Sequence, residues 1–248
     1  MARQESYSYG QGKVYLAARL PDGTPGTARW VGDVSELSVS FSVEDLTHKE
    51  SYSGQRLEVR KLITGKSGEL SLKFHEFSKE NLALVLLGTD TTVAGSSVTG
   101  EKLPAAIKTG DRIALAHQNV SAVTIGSLVE NTDYTVDSIF GAVEFLKDIP
   151  SNSDTVSYTY GAVENVAMMT VNSKDVYLRF EGLNLAEDNE WNLVERYKIN
   201  FNPTEALSLI NTENALDGLS AKAKVLADTS KVGDTTLGRF GRVVKIKK

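Results

Sequence analysis

Cysteine is absent from the 248 residues, which excludes disulfides, thiolate metal sites and cysteine nucleophiles. Stability must then come from apolar burial and strand pairing. A basic excess is absent too: 27 Lys and Arg stand against 32 Asp and Glu, a net charge of −5. A surface that coats nucleic acid is therefore not expected. No apolar run approaches the roughly 20 residues needed to cross a bilayer. The opening MARQESYSYGQGK has no apolar secretory core, so synthesis and use in the cytoplasm are the expectation.

Convergent catalytic chemistry is equally scarce, and the chain is not expected to be an enzyme or to carry a cofactor or metal. His48, His75 and His117 are isolated, and none stands at metal-ligand spacing to another. Gly65-Lys66-Ser67 has the ending of a phosphate-binding loop, but the glycine required five residues before Gly65 is Arg60. This stretch reads instead as a tight turn between two strands. The acids of the middle segment lack the loop spacing of a calcium site and suit a solvated surface.

What the chain does have is alternation. KVYLAARL sets Val14, Leu16, Ala18 and Leu20 on one face, and PDGTPG ends that strand. ELSVSFSV opposes Leu37, Val39, Phe41 and Val43 to Ser38, Ser40 and Ser42. RLEVRKL and ELSLKF repeat the pattern, with Glu58 and Arg60, then Glu69, Ser71 and Lys73, on their polar faces. Each is a half-buried strand of an antiparallel sheet. Between the second and third strands, EDLTHKESYSGQ forms a polar loop over 44–55, far longer than a usual hairpin connection.

One helix is expected, over 79–87. Ser78 is a good N-cap, Phe77 and Leu82 stand at staple positions, and Gly88 is a natural stop. Leu82, Val85 and Leu86 form the face it must bury, widened by Leu84 and Leu87. So short a helix needs a sheet to lie against.

TDTTVAGSSVTG over 89–100 has a linker's composition. RIALAH, SAVTIGSL, DYTVD, GAVEFL and TVSYTY then follow at the turn rhythm of a small sandwich or barrel. From Asp111 to Glu164 there are eight acids against Arg112 and Lys147. These features mark an inserted β-domain at 106–162, between a first part at 1–105 and a second at 163–248. In the second part DVYLRFEGL aligns Val176, Leu178 and Phe180, and ERYKINF aligns Tyr197, Ile199 and Phe201. NPTE at 202–205 resembles a capped helix start, although ALSLI would also pass as a strand. GLSAKAKVLAD and RFGRVVKIKK close the chain as strands. The expected fold is mainly β: two packed antiparallel sheets, sandwich- or barrel-like, with a short flanking helix and an inserted small β-domain.

The order of strand, strand, long hairpin loop, strand, turn, strand and short helix is carried by residues Gly32 to Gly88, from GDVSELSVSFSV to ENLALVLLG. It resembles the major tail tube proteins of long-tailed bacteriophages, relatives of the tube protein of type VI secretion systems. The resemblance extends more weakly over 171–248 and does not cover the insertion.

The resemblance implies a structural virion protein, assembled in the host bacterial cytoplasm. Six copies would join sheet edges into a ring, and rings would stack into a hollow tube. Ser38, Ser40, Ser42, Glu58, Arg60, Glu69, Ser71 and Lys73 would face the lumen, through which DNA passes without specific binding. Cross-strand pairing with Glu58 or Glu69 would neutralise Arg60 and Lys73. Asp45, Thr47, His48, Lys49, Glu50 and Tyr52 would form the contact between rings, with the N-terminal arm and basic C-terminal end as secondary contacts. The helix face of Leu82, Val85 and Leu86 would seal the outer side of the sheet, and the insertion would decorate the exterior. Implied partners are further copies, the tape measure protein, and the tail terminator and distal tail proteins, with no membrane. Two rival readings are a tube of a secretion or phage-derived machine, and a monomeric two-domain β-rich adhesin or ligand-binding module.

Overall fold

The computed structural model describes residues 7–149, 155–187, 190–212, 216–231 and 235–247. The start of the N-terminal arm, the turn expected at 150–154 and Lys248 lie outside the described residues. The elements run β1 (Gly10–Arg19), β2 (Pro25–Trp30), β3 (Val34–Lys49), β4 (Glu58–Phe74) and α1 (Lys79–Val85). There follow β5 (Thr89–Val93), β6 (Ser96–Lys102), β7 (Arg112–Ala114), β8 (Val120–Ile125), β9 (Tyr134–Asp137) and β10 (Ala142–Phe145). Then come β11 (Thr155–Tyr160), β12 (Val163–Ala167), β13 (Asp175–Asn184), β14 (Glu190–Phe201), β15 (Leu219–Val225) and β16 (Arg242–Ile246). The protein is mainly β, with several antiparallel sheets and one short helix.

The chain divides into two compact units, one of Met1–Thr89 with Ala167–Lys248 and one of Asp90–Val166. The inserted unit is thus wider than 106–162. The polar stretch read as a linker supplies β5 and β6, which pair with β12 and β11. Backbone pairing stabilises such strands without an apolar stripe, so alternation gave no sign of them. The inserted unit holds two three-stranded sheets, β7-β10-β9 and β6-β11-β8. Its own core is built around Tyr134, Phe145, Val143, Ile125 and Val156.

The larger unit is one sheet in the order β2-β1-β13-β14-β15-β4-β3, with β16 on the first half of β14. Strands from opposite ends of this order contribute to the same core: Val14 and Leu16 of β1, and Leu70, Leu72 and Phe74 of β4. The two expected layers are therefore two ends of a single curled sheet. Alternation predicts the buried face of β4 and β15 correctly, where Leu219, Ala221, Ala223 and Val225 join that core.

Residues 58–74 form one strand of 17 residues, not two strands joined at Gly65-Lys66-Ser67. The glycines admit neighbours instead of turning the chain. A Cβ on Gly65 would lie 2.9 Å from the Glu44 carboxylate, and one on Gly68 would lie 3.1 Å from the Phe41 ring.

In α1, Ser78 caps as expected, accepting from the Asn81 amide at 3.3 Å. The helix is shorter than 79–87, and its fully buried side chains include Asn81 as well as Val85. Leu82, Leu84 and Leu86 pack partly buried against the main core, while Phe77 stays well exposed. The stop is made one residue before Gly88: Leu87 takes φ 46° and the Gly88 amide donates to Ala83 O at 2.8 Å. That conformation is held by Leu86 O and Leu87 O, which accept from the amides of Met169 and Val171.

The segment after β14 is neither helix nor strand over 202–212. The Thr204 amide donates to Val85 O at 2.8 Å and the Asn202 amide to Lys222 O. Its backbone thus satisfies groups of α1 and β15 instead of starting a helix.

Candidate self-assembly surface

The most unusual feature of the larger unit is the outer half of the β3–β4 ribbon. Beyond Phe41↔Gly68 the two strands continue for eight register pairs, from Ser42↔Ser67 to Lys49↔Glu58. At the usual rise this is an arm of roughly 25 Å. Nearly every residue of the arm is exposed on both faces. Its apolar side chains have no core to enter: Val43, Leu46, Leu57, Val59, Leu62 and Ile63 are between 50% and 62% exposed. A two-stranded ribbon is marginal in water by itself.

Half of the residues expected in the 44–55 loop are therefore in a strand. Asp45, Thr47, His48 and Lys49 belong to β3, and only 50–57 turns. Asp45 pairs with Lys61 at 3.4 Å and Lys49 with Glu58 at 3.7 Å. His48 stands opposite Arg60. Glu50 is buried and organises the tip. Its carboxylate accepts from the amides of Tyr52 and Ser53, both at 2.8 Å, from the Ser53 hydroxyl and from the Leu57 amide at 3.3 Å. These bonds, the Ser53 hydroxyl first, hold its pKa at about 2. Tyr52 stands almost fully exposed at the apex.

The residues expected to line a lumen divide into two groups. Ser38↔Ser71, Ser40↔Glu69 and Glu36↔Lys73 share the solvent face of the sheet, with Ser42 opposite Ser67. Arg60 and Glu58 lie out on the arm, where bulges near Glu44 and His48 shift the pairing. Glu58 pairs with Lys49 and not with Arg60. Nor is the face acid-rich, because β15 adds Lys222 opposite Ser71 and Lys224 opposite Glu69. With Glu205 bonded to Lys222 at 2.8 Å, the strip carries Glu36, Glu69 and Glu205 against Lys73, Lys222 and Lys224. It is close to neutral.

Among the described residues, no strand pairs with the outer edge of β3, which is 16 residues long. Exposed edges of that length template pairing with another chain. Further apolar exposure lies in the segment after β14, at Leu209 and Ile210.

The other face of β13 and β14 is less polar than alternation implies. Tyr177, Tyr197 and Ala17 form a small buried cluster there, and the Tyr177 hydroxyl donates to Glu195. Glu195 also accepts from Arg242 Nε at 2.5 Å, and Lys245 pairs with Glu190 at 3.1 Å. Part of the basic C-terminal end is thus committed within the sheet. Tyr197 does not share a face with Ile199 and Phe201 as expected. The register jumps from Val176↔Ile199 to Leu178↔Arg196, so β14 carries one extra residue and the faces exchange.

In the inserted unit the acids hold turns and bases. Asp133 pairs with Lys147 at 2.7 Å, Asp137 with Arg112 at 2.6 Å, and Asp148 with Lys108 at 3.0 Å. No group of three or more metal-ligating side chains gathers among the described residues. Sequence reading missed a tie around Tyr158, whose hydroxyl donates to Glu101 at 2.5 Å and meets His117 Nδ1 at 3.1 Å. Burial, then the Glu101 bond, pushes the phenol pKa well up, so it serves as a donor that fastens β6 to β11.

Comparison with curated proteins finds no match. A family described as "Protein of unknown function UCP028589" matches residues 7–244, and the chain belongs to that family.

Proposed function

We propose that the protein is a structural subunit completed by copies of itself, in the manner of the phage tail tube proteins its sequence resembles. The observation that carries this reading is the arm. A ribbon with six large apolar side chains at least half exposed costs free energy in water and is relieved when a second surface covers it. The unpaired edge of β3 supports the same reading, since sheet-edge pairing between copies removes it. In the proposed assembly six copies form a ring and rings stack into a tube, with the arm reaching a neighbouring copy. The near-neutral strip of Ser38, Ser40, Glu69, Ser71 and Lys73 would face the bore. A wall without net positive charge releases few counterions from DNA and does not retard it.

Negative-stain electron microscopy and sedimentation of the purified chain over a concentration series test the proposal. The expected result is rings or tubes above a threshold concentration. Replacing 43–66 by a two-residue Asn-Gly turn, which joins the paired Ser42 and Ser67, should leave a folded chain that no longer assembles. A wild-type chain that stays a single molecule at millimolar concentration would overturn the reading and favour the binding-module alternative. In that case the exposed Ile139-Phe140 turn of the inserted unit becomes the surface to probe.

A further inference from the structure

Arg196 is the anomaly of the larger unit. The extra residue in β14 places it on the core side of the sheet, opposite Leu178, where alternation with Ile199 would have sent it outward. It is only 7% exposed. Its Nε has no hydrogen-bond partner, and Arg196 makes no ion pair among the described residues. Its guanidinium lies over the Phe41 ring at 5.4 Å. On another side is Gly241, where any Cβ would come 2.9 Å from Nη1. Burial pulls the guanidinium pKa down, with only Tyr197 opposing. A buried cation without an anion is costly, and natural proteins pair or coordinate such charges.

Arg196 borders an open cleft of about 370 Å³ between β3 and the β1–β13–β14–β16 end of the sheet. Leu37, Val39, Phe180, Val194 and Val243 make its walls apolar, and Gly12 leaves one wall low. The cleft thus suits an apolar segment that carries one carboxylate. Such a segment exists on the arm. Glu44 is exposed between Val43 and Asp45-Leu46, lies across Gly65, and makes no ion pair among the described residues. It cannot reach Arg196 of its own chain. Phe41, which touches Arg196, and Glu44 stand three residues apart on β3 and so point to opposite faces.

We infer that the Arg196 cleft is a socket for the arm of a second copy, with Glu44 of that copy as the carboxylate that pairs with Arg196. The inference rests on the self-assembly reading and names the partner surfaces within it. Leu46 and its cross-strand partner Leu62, which share the face of Glu44, would enter between Val39, Phe180 and Val243, and the ion pair would fix which part of the arm seats there.

The test is a charge swap read by sedimentation and electron microscopy. Arg196→Glu and Glu44→Arg, made singly, should each raise the concentration needed for assembly by about thirtyfold or more, the usual scale for breaking a desolvated pair. Combined, they should restore assembly to within a few fold of wild type. Arg196→Met guards against a folding artefact. It should melt no lower than wild type as a monomer, because the orphaned charge is gone, yet fail to assemble. Assembly of Arg196→Met or of Glu44→Arg at the wild-type threshold would overturn the inference while leaving self-assembly intact. Failure of the wild type itself to assemble would overturn both.

Discussion

The inner and outer halves of the β3–β4 ribbon obey nearly the same sequence rule and meet opposite fates. In the inner half, Leu70, Leu72 and Phe74 alternate with Glu69, Ser71 and Lys73, and the apolar set is fully buried. In the outer half, Val43, Leu46, Leu62 and Ile63 are as apolar, yet more than half of each remains in water or close to it. The difference lies in what stands opposite. The inner half faces α1, β1 and β13 across one core; the outer half extends past the last strand able to cover it. Alternation records which face a residue is on. It does not record whether the covering surface belongs to the same chain.

The sharpest way to break this comparison is to truncate one side chain in each half. Phe74→Ala removes a side chain with no exposure and should lower unfolding stability by about 3–5 kcal/mol. Leu62→Ser, on the arm, should change monomer stability by less than about 0.5 kcal/mol while weakening assembly. Urea unfolding of both variants at low concentration measures the contrast. Similar losses in the two would mean that the arm is covered within the chain.

A smaller effect is expected at the helix that seals the inner half. Asn81 is completely buried, and its Nδ2 donates to Val31 O at 2.8 Å and Glu76 O at 2.9 Å. It ties α1 to the end of β2 in a place where an apolar residue would leave two carbonyls bare. Asn81→Ala should cost about 1–3 kcal/mol, more than its small apolar loss alone. A neutral result in the same urea assay would show that water replaces the amide.

The inner half was legible because burial and alternation coincide there. Ser78 announced the start of α1, and Leu70, Leu72, Val14 and Leu16 announced the core faces. What was not legible traces to three physical causes. Glycine was read as turn chemistry at 65–68, whereas here it makes room for Glu44 and Phe41. Polar strands such as β5 and β6 are held by backbone pairing, which side-chain patterning does not report. Bulges shift parity: one extra residue in β14 exchanged the faces of Arg196 and Tyr197, and those in the ribbon put Arg60, far out on the arm, on the face of Glu69 and left Glu58 on the other. The elements of the assembly surface were thus visible as sequence, but their faces were not.

The arm's tip offers the mildest and most local test. Glu50 is held at a pKa of about 2 against an ordinary value near 4.5, because Ser53, Tyr52 and Leu57 all donate to its ionised form. The folded pKa is depressed, so the charge stabilises the tip fully above pH 4.5. That contribution fades as pH falls from 4.5 through about 2, where the folded carboxylate itself takes up a proton. Above this window the tip should be indifferent to pH. Carbon-detected NMR of the Glu50 carboxyl should give a midpoint near 2, with the amide signals of Tyr52 and Ser53 moving together with it. Glu50→Gln removes the charge at every pH, and should leave the turn as mobile at pH 7 as acid leaves the wild type well below its midpoint. A Glu50 midpoint at the ordinary value near 4.5 would show that the tip does not hold its shape in solution, and the arm would then present its apolar strands without a structured end.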